Sequence, residues 1–343
     1  GDLDLALTGA GGPTGRMTRI YRNDGGSFTS YISLLGFRDS SLAWGDYDND
    51  GDLDIAISGI DGATVITRIY RNDSGSFTSD ISLIGARFGD LAWGDYDNDG
   101  DLDLAVIGNY GSSGRTTRIY TNDDGSFASY ISLLALQYSS LAWGDYDNDG
   151  DLDLAITGHT GSSPISRIYR NDGGSFTSYF DLTGVQYGDL AWGDYDNDGD
   201  LDLVLVGDTG STYIAKIYKN NAARPNSMPE QPTDMQSFLL DGTGPYSVLF
   251  LWNSGQDTET PPLGLSYQLR VGTTEGGNEV CSGHHLPNGQ RLLPELGKTS
   301  PVGSNTSYKV LSLTTGTYYW TVQAIDSGFE ASSVLNTAIV TVP

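Results

Sequence analysis

Trp143 to Ala155 reads WGDYDNDGDLDLA and carries five aspartates, Asp145, Asp147, Asp149, Asp151 and Asp153, within nine residues. At about 5 Å and an effective dielectric of about 20, each neighbouring pair of carboxylates costs roughly 3 kcal/mol. Such a stretch predicts a cation. Carboxylates at positions 1, 3, 5 and 9 of a tight loop, with a glycine at 6 and a carbonyl at 7, can converge on one hard ion that takes about six to eight oxygens. Calcium suits this cage better than magnesium, which insists on octahedral geometry and keeps its waters; zinc would call for His or Cys. On this reading Asp145, Asp147, Asp149 and Asp153 offer side-chain oxygens, Asp151 offers its carbonyl and Gly150 makes the turn. An EF-hand is excluded, because it needs a glutamate at position 12 and flanking helices. Position 12 is Ile156, inside DLDLAITG, whose apolar and polar residues alternate as in a strand.

The loop recurs. AWGDYDNDGDLD begins at Ala43, Ala92, Ala142 and Ala191, and GDLDLALTG at the N-terminus is the tail of one more copy. A period of 49 or 50 residues signals a propeller or a solenoid. Each copy holds four strand-like runs, as in LAWGDYD, DLDLAITG, ISRIYRND and SFTSYFDL, joined by the acidic loop, a variable Gly/Ser stretch, an Asn-Asp-Gly turn and a short connection. Four antiparallel strands per fifty residues make a propeller blade. Trp44, Trp93, Trp143 and Trp192, with Phe28, Phe77, Phe127 and Phe176, recur without change and are expected to pack the core.

Over residues 1–221 the repeat resembles the FG-GAP or VCBS repeat of the integrin alpha-chain propeller and of many secreted bacterial proteins. The resemblance implies an all-β fold of calcium-stabilised blades. It carries the cage to Asp46, Asp48, Asp50, Asp52 and Asp54; to Asp95, Asp97, Asp99, Asp101 and Asp103; to Asp145 through Asp153; and to Asp194, Asp196, Asp198, Asp200 and Asp202. Four calcium sites are then complete, and a fifth, at Asp2 and Asp4, is incomplete. About seven blades close a typical ring, so two or three further blades are expected upstream, and the segment given is expected to form a partial or open ring of about 4.5 blades. Residues 222–232 read as a linker. Beyond it the repeat stops, Glu230 is the first glutamate, and residues 233–343 resemble a fibronectin type III β-sandwich, through Trp252, Tyr267 and LTTGTYYWTVQA, with Tyr318 at the tyrosine-corner position and Trp320, Val322 and Ala324 facing inward.

Composition narrows the function classes. The net charge is −26, and residues 1–221 hold 34 acids, every one Asp, against 13 basic residues, leaving −21 there. Such a surface disfavours nucleic acid and anionic membrane, and no run is apolar enough to insert into a bilayer. The one cysteine, Cys281, makes no internal disulfide. Metal cages would take over the stapling role, which points to the extracellular space or the cell surface, where calcium is abundant. Catalysis finds little support. Only His159, His284 and His285 could serve a nucleophile, and metal-bound carboxylates are poor proton donors.

The copies differ in two loop sets, the second-to-third strand loops and the entries to each first strand, both at the blade end opposite the acidic loops. Arg38, Arg87, Tyr138 and Tyr187 lie in those entries and are the candidate ligand-binding residues, since planar donors and aromatic rings dominate recognition surfaces. In integrin-like propellers that face carries ligand. The expected function is a non-catalytic extracellular binding or adhesion module for a protein or glycan. The alternatives are a structural subunit of a filament or surface layer that assembles with copies of itself and, more weakly, an accessory domain of a secreted polysaccharide-active enzyme.

Overall fold

The computed structural model describes residues 4–11, 15–50, 52–111, 114–222, 224–240, 246–281, 305–334 and 336–343, with the backbone alone at 305–312. The chain is all-β. The first blade has three strands, β1 (Leu5–Gly9), β2 (Met17–Asp24) and the N-terminal half of β3 (Ser27–Gly45); the second adds β4 (Asp54–Ile60), β5 (Val65–Asp73) and β6 (Ser76–Ile84) to the C-terminal half of β3. The third comprises β7 (Arg87–Gly94), β8 (Asp103–Tyr110), β9 (Gly114–Asp123) and the first half of β10 (Ser126–Gly144). The second half of β10 joins β11 (Asp153–His159), β12 (Pro164–Asp172) and β13 (Ser175–Leu182) in the fourth. The last has β14 (Gln186–Gly193), β15 (Asp202–Asp208) and β16 (Tyr213–Tyr218). All pairings are antiparallel. β3 and β10 each run unbroken from the fourth strand of one blade into the first strand of the next, and the register shifts where they turn.

Blades stack through their first strands. Trp93, Trp143 and Trp192 donate Nε1–H to the carbonyls of Ala43, Ala92 and Ala142 in the preceding blade, at 3.3, 3.3 and 3.2 Å. The glycines after Trp44, Trp93 and Trp143 are required by this approach: a Cβ on Gly144 would stand 2.7 Å from the Trp192 ring. A polar thread runs alongside, in which Ser41 and Ser140 reach Asp90 at 2.8 and 3.1 Å and Ser140 also reaches Asp189 at 2.7 Å. The second strands of the inner blades, β4, β8 and β11, are buried on both faces along most of their length. Ala56 clusters with Leu104 and Val106 of the next blade, and Ala155 with Leu203 and Leu205, so alternation gives way to a continuous apolar run.

The repeating aromatics pack as expected in three blades, where Trp44, Trp93 and Trp143 meet Phe77, Phe127 and Phe176. Phe28 departs from the expectation. It is 52% exposed, because its blade begins at a second strand and so has no tryptophan-bearing first strand among the described residues.

Beyond the linker, β17 (Thr233–Leu239), β18 (Tyr246–Asn253), β19 (Ser266–Gly272), β20 (Asn305–Leu313), β21 (Gly316–Ile325) and β22 (Ala338–Val342) form two three-stranded sheets, β17-β18-β20 and β19-β21-β22. Val248, Phe250 and Trp252 of one pack against Tyr267, Trp320 and Val322 of the other. Tyr318 Oη donates to the Thr314 carbonyl at 3.0 Å, the backbone bond of a tyrosine corner. Cys281 is half-buried and bridges to Val271; His284 and His285 lie outside the described residues. This unit touches the fourth blade, with Ser327 Oγ donating to Asp145 Oδ2 at 2.8 Å.

Candidate metal centre

Each acidic loop closes the end of a first strand and opens a second, so strand pairing fixes both of its ends. Asn49, Asn98, Asn148 and Asn197, at position 4, adopt positive φ near 55°, a conformation asparagine tolerates better than most residues. Position 1 accepts from the backbone at position 5, as Asp145 Oδ1 does from Asp149 N at 3.1 Å, and from the loop glycine, as Asp145 Oδ2 does from Gly150 N at 2.8 Å. Position 9 is held twice. Asp103 accepts from Tyr96 N at 3.1 Å and Asn122 N at 2.8 Å, and Asp54, Asp153 and Asp202 repeat both bonds.

The carboxylates converge. Oxygens of Asp46, Asp48 and Asp50; of Asp95, Asp97 and Asp99; of Asp145, Asp147 and Asp153; and of Asp194, Asp196 and Asp202 lie within 4.8 Å of one another in four groups that could hold a metal ion. Burial drives Asp54 up to about 8 and both Asp103 and Asp153 up to about 9, lifts Asp99, Asp145 and Asp149 to about 6 and raises Asp95 well above the usual carboxylate range. In three loops one oxygen at position 3 (Asp48, Asp97 and Asp147 Oδ1) is buried with no hydrogen-bond partner among the described residues. Buried polar atoms are normally satisfied. A divalent cation fits these orphaned oxygens and would reverse the raised proton affinity around them.

Position 7 is placed differently. Asp151 Oδ2 accepts from Gly173 N at 2.6 Å and its Oδ1 from Asn98 Nδ2 at 2.8 Å; Asp101 and Asp200 are held likewise by Asn49 and Asn148, while Asp52 accepts from Ser74 N. These carboxylates tie a loop to its own blade's hairpin and, in the later three, to the preceding loop. Replacing Asp151 with Asn should therefore leave metal affinity within about threefold, whereas Asp149→Asn should weaken it by about tenfold or more through loss of a charged ligand. Isothermal titration of the two variants checks this; equal losses would mean the cage is wrongly drawn. Asp4 accepts from Asn23 N at 2.8 Å, and Asp2 lies outside the described residues.

Some contributors are visible only in three dimensions. Lys219 pairs with Asp196 and with Asp198, the latter at 2.8 Å, and holds Asp198 below the usual carboxylate range, so the fourth loop has a lysine where the others have arginine or threonine. The bridging asparagines were signalled by their fixed place in DYDND. Ser327, a residue of the C-terminal sheets, carried no signal.

At the opposite blade end the four ligand-face candidates fall into two rows rather than one set of equivalent positions. Arg38 and Arg87 align with Gln137 and Gln186; Tyr138 and Tyr187 align one residue later with Asp39 and Phe88, all four of these at positive φ in a bulge. Phe88 meets Tyr138 at 5.9 Å between ring centroids, and Tyr138 stacks on Tyr187 at 4.3 Å. Arg87 lies 5.4 Å over the Phe88 ring, and Arg38 is 3.9 Å from Asp39.

Fold and loops together define a repeat protein of antiparallel blades of three or four strands, four of which carry at one end a group of aspartates that could hold a metal ion. Residues 1–57, 46–106 and 95–156 match the family of FG-GAP-like repeats, each match running from one acidic loop into the next. The chain therefore carries three FG-GAP-like repeats, and the same motif continues beyond them to Asp194–Asp202. No curated protein matches the sequence.

Proposed function

We propose that the chain is a non-catalytic, calcium-stabilised extracellular binding module that meets a protein or glycan through the blade end opposite the metal loops. The observation that carries the binding role is the row Phe88, Tyr138, Tyr187, where three blades contribute rings in contact, Tyr138 stacked on Tyr187 and tilted against Phe88, and Tyr187 is 63% exposed. Rings of this kind supply contact area at low entropic cost and suit the apolar faces of sugars or a protein hot spot. Calcium is the ion that an all-oxygen, carboxylate-rich cage favours, and millimolar extracellular calcium would fill sites that cytosolic levels leave empty. FG-GAP-like repeats support that location, and no helix among the described residues is long and apolar enough to cross a membrane. The C-terminal sheets, with their tyrosine corner, serve in this reading as a fibronectin type III-like spacer.

Changing Phe88, Tyr138 and Tyr187 together to Ala should reduce binding on a glycan array or to cell surfaces by about a hundredfold, at roughly 1 kcal/mol per ring, and leave the melting temperature within a few degrees. Normal binding by a folded triple variant would remove the adhesive reading. A second reading, assembly of copies end to end, is favoured by Val204, Val206 and Ile217 on the outer face of the last blade: they are exposed at positions where inner blades are covered by a neighbour. Sedimentation of the calcium-loaded chain would show it as a concentration-dependent increase in mass.

A further inference from the structure

The C-terminal sheets rest on the third acidic loop, Asp145 to Asp153. Among the described residues, Asp95 and Asp194 at position 1 of the neighbouring loops accept from their own loop backbone, Asp95 from Asp99 N and Gly100 N and Asp194 from Asp198 N and Gly199 N. Asp145 takes the same two bonds and a third from another unit. Ser327 Oγ donates to its Oδ2 at 2.8 Å, and the Asp145 N–H donates to the Ser327 carbonyl at 3.3 Å. Ser327 is 2% exposed and is fixed in turn by Thr260, whose Oγ1 accepts from Ser327 N at 3.2 Å. The fit is close. A Cβ on Gly150 would overlap the Glu259 carbonyl oxygen, and one on Gly264 would overlap Asn98 Oδ1 of the preceding loop. Two residues beyond Ser327, Phe329 holds a φ of 67°, rare for a bulky side chain, and packs against the cluster that contains Trp192 and Leu201. The linker is tied to the same loop, Asn148 Nδ2 donating to the Arg224 carbonyl at 2.8 Å.

Given that the loops are calcium cages, as proposed above, we propose that the third of them is a latch between the two units. Glu259, Thr260 and Ser327 dock on the closed form that its aspartates take around calcium, and the C-terminal sheets swing away when the loop opens. The coupling has a physical route. Ser327 donates to a carboxylate that also serves as a ligand, and such outer partners orient the ligands they touch. In the metal-free loop the repulsion among Asp145, Asp147, Asp149 and Asp153 favours spreading. Spreading moves Asp145 and Gly150, the two residues that Ser327 and Glu259 meet. By linkage the effect is reciprocal: docking raises calcium affinity at this site by the factor by which calcium favours docking. Released sheets have room to move, because the chain from Ala222, bonded to Asp200, to Glu230, bonded to Gln256, spans about 25 Å when extended.

Small-angle X-ray scattering of the full chain in calcium and in EDTA, at a temperature where circular dichroism shows both forms folded, tests this. The radius of gyration should rise by about 10% when calcium is removed, as two compact units separate. Asp149→Asn, whose hydrogen bonds stay within its loop, should give the expanded form at calcium concentrations where Asp50→Asn, the same position in the first complete loop, stays compact. In isothermal titration Ser327→Ala should weaken one calcium site of the four about tenfold, and Phe329→Ala, which loosens docking from its apolar side, should likewise weaken one. Calcium binding with an unchanged radius of gyration, or undiminished affinity in both variants, would overturn the latch and leave the cages standing. Equal expansion of Asp50→Asn and Asp149→Asn would overturn it too, since the blades as a whole would then be softening. Absence of calcium binding would overturn both the latch and the cages.

Discussion

Removal of divalent ions with EDTA should lower the melting temperature of the blades by about 20 °C or more, and calcium should restore it. With calcium near 1 mM and sites of about 10 µM affinity, mass action contributes about 2.7 kcal/mol per site. Four cages give about 11 kcal/mol, as much as the whole stability of an ordinary domain. At about 2 to 4 °C per kcal/mol for a unit of this size, the expected shift is about 20 to 40 °C. Magnesium at the same concentration should recover less, since the cage offers more oxygens than an octahedral ion accepts. The C-terminal sheets supply an internal control: none of the four carboxylate groups lies in them, so their own transition should move little. Differential scanning calorimetry separates the two. An unchanged blade transition in EDTA would show that the orphaned oxygens of Asp48, Asp97 and Asp147 are satisfied by something other than a metal.

The blades were legible because their signals are local and repeated. A five-aspartate loop between two alternating runs identifies its flanking strands whatever lies elsewhere, and four copies make the period visible. What escaped depends on contacts between copies. The bulge that places Phe88, Tyr138 and Tyr187 in one row shifts the register by a residue, and the arginines, being more conspicuous, drew attention to the neighbouring position. Phe28 looks identical to Phe77 in sequence, yet it is 52% exposed, and its sheet has no tryptophan-bearing first strand among the described residues. Lys219 is one more basic residue in the KIYKNN stretch, the counterpart of RIYRND, until the loop beside it is folded. The Asn148 amide reaches Asp200, 52 residues away, and Ser327 reaches Asp145 across 182 residues; no local pattern encodes separations of that length. Asp151 was assigned a carbonyl role from loop position alone, and the second task of its carboxylate, tying two loops together, needs the stacked neighbour to be seen.

Without metal, blade stability should fall as pH rises from about 5 to 9; with calcium the fall should vanish, so the gain from calcium grows with pH. The sign follows from burial. Asp54 is pushed up to about 8, and Asp103 and Asp153 to about 9, by desolvation that their backbone donors only partly offset. In the unfolded chain an aspartate titrates near 3.9. Between about pH 4 and 9 the metal-free native state therefore binds protons that the unfolded state has released, and stability decreases with pH wherever the native state holds more protons. The loss begins above the unfolded value and levels off above the folded ones. Calcium requires these carboxylates ionised and so displaces the protons, and its affinity should rise by up to about tenfold per pH unit for each proton released. Titration in weakly buffered solution should show acidification on calcium addition at pH 7. Asp103→Asn offers a separate check, because the amide reproduces the neutral carboxyl: it should remove part of the metal-free pH dependence and abolish calcium binding at one loop. A metal-free melting temperature that climbs with pH would mean that the aspartates are already ionised in the empty cage, and that some charge within the fold, rather than a bound cation, offsets their repulsion.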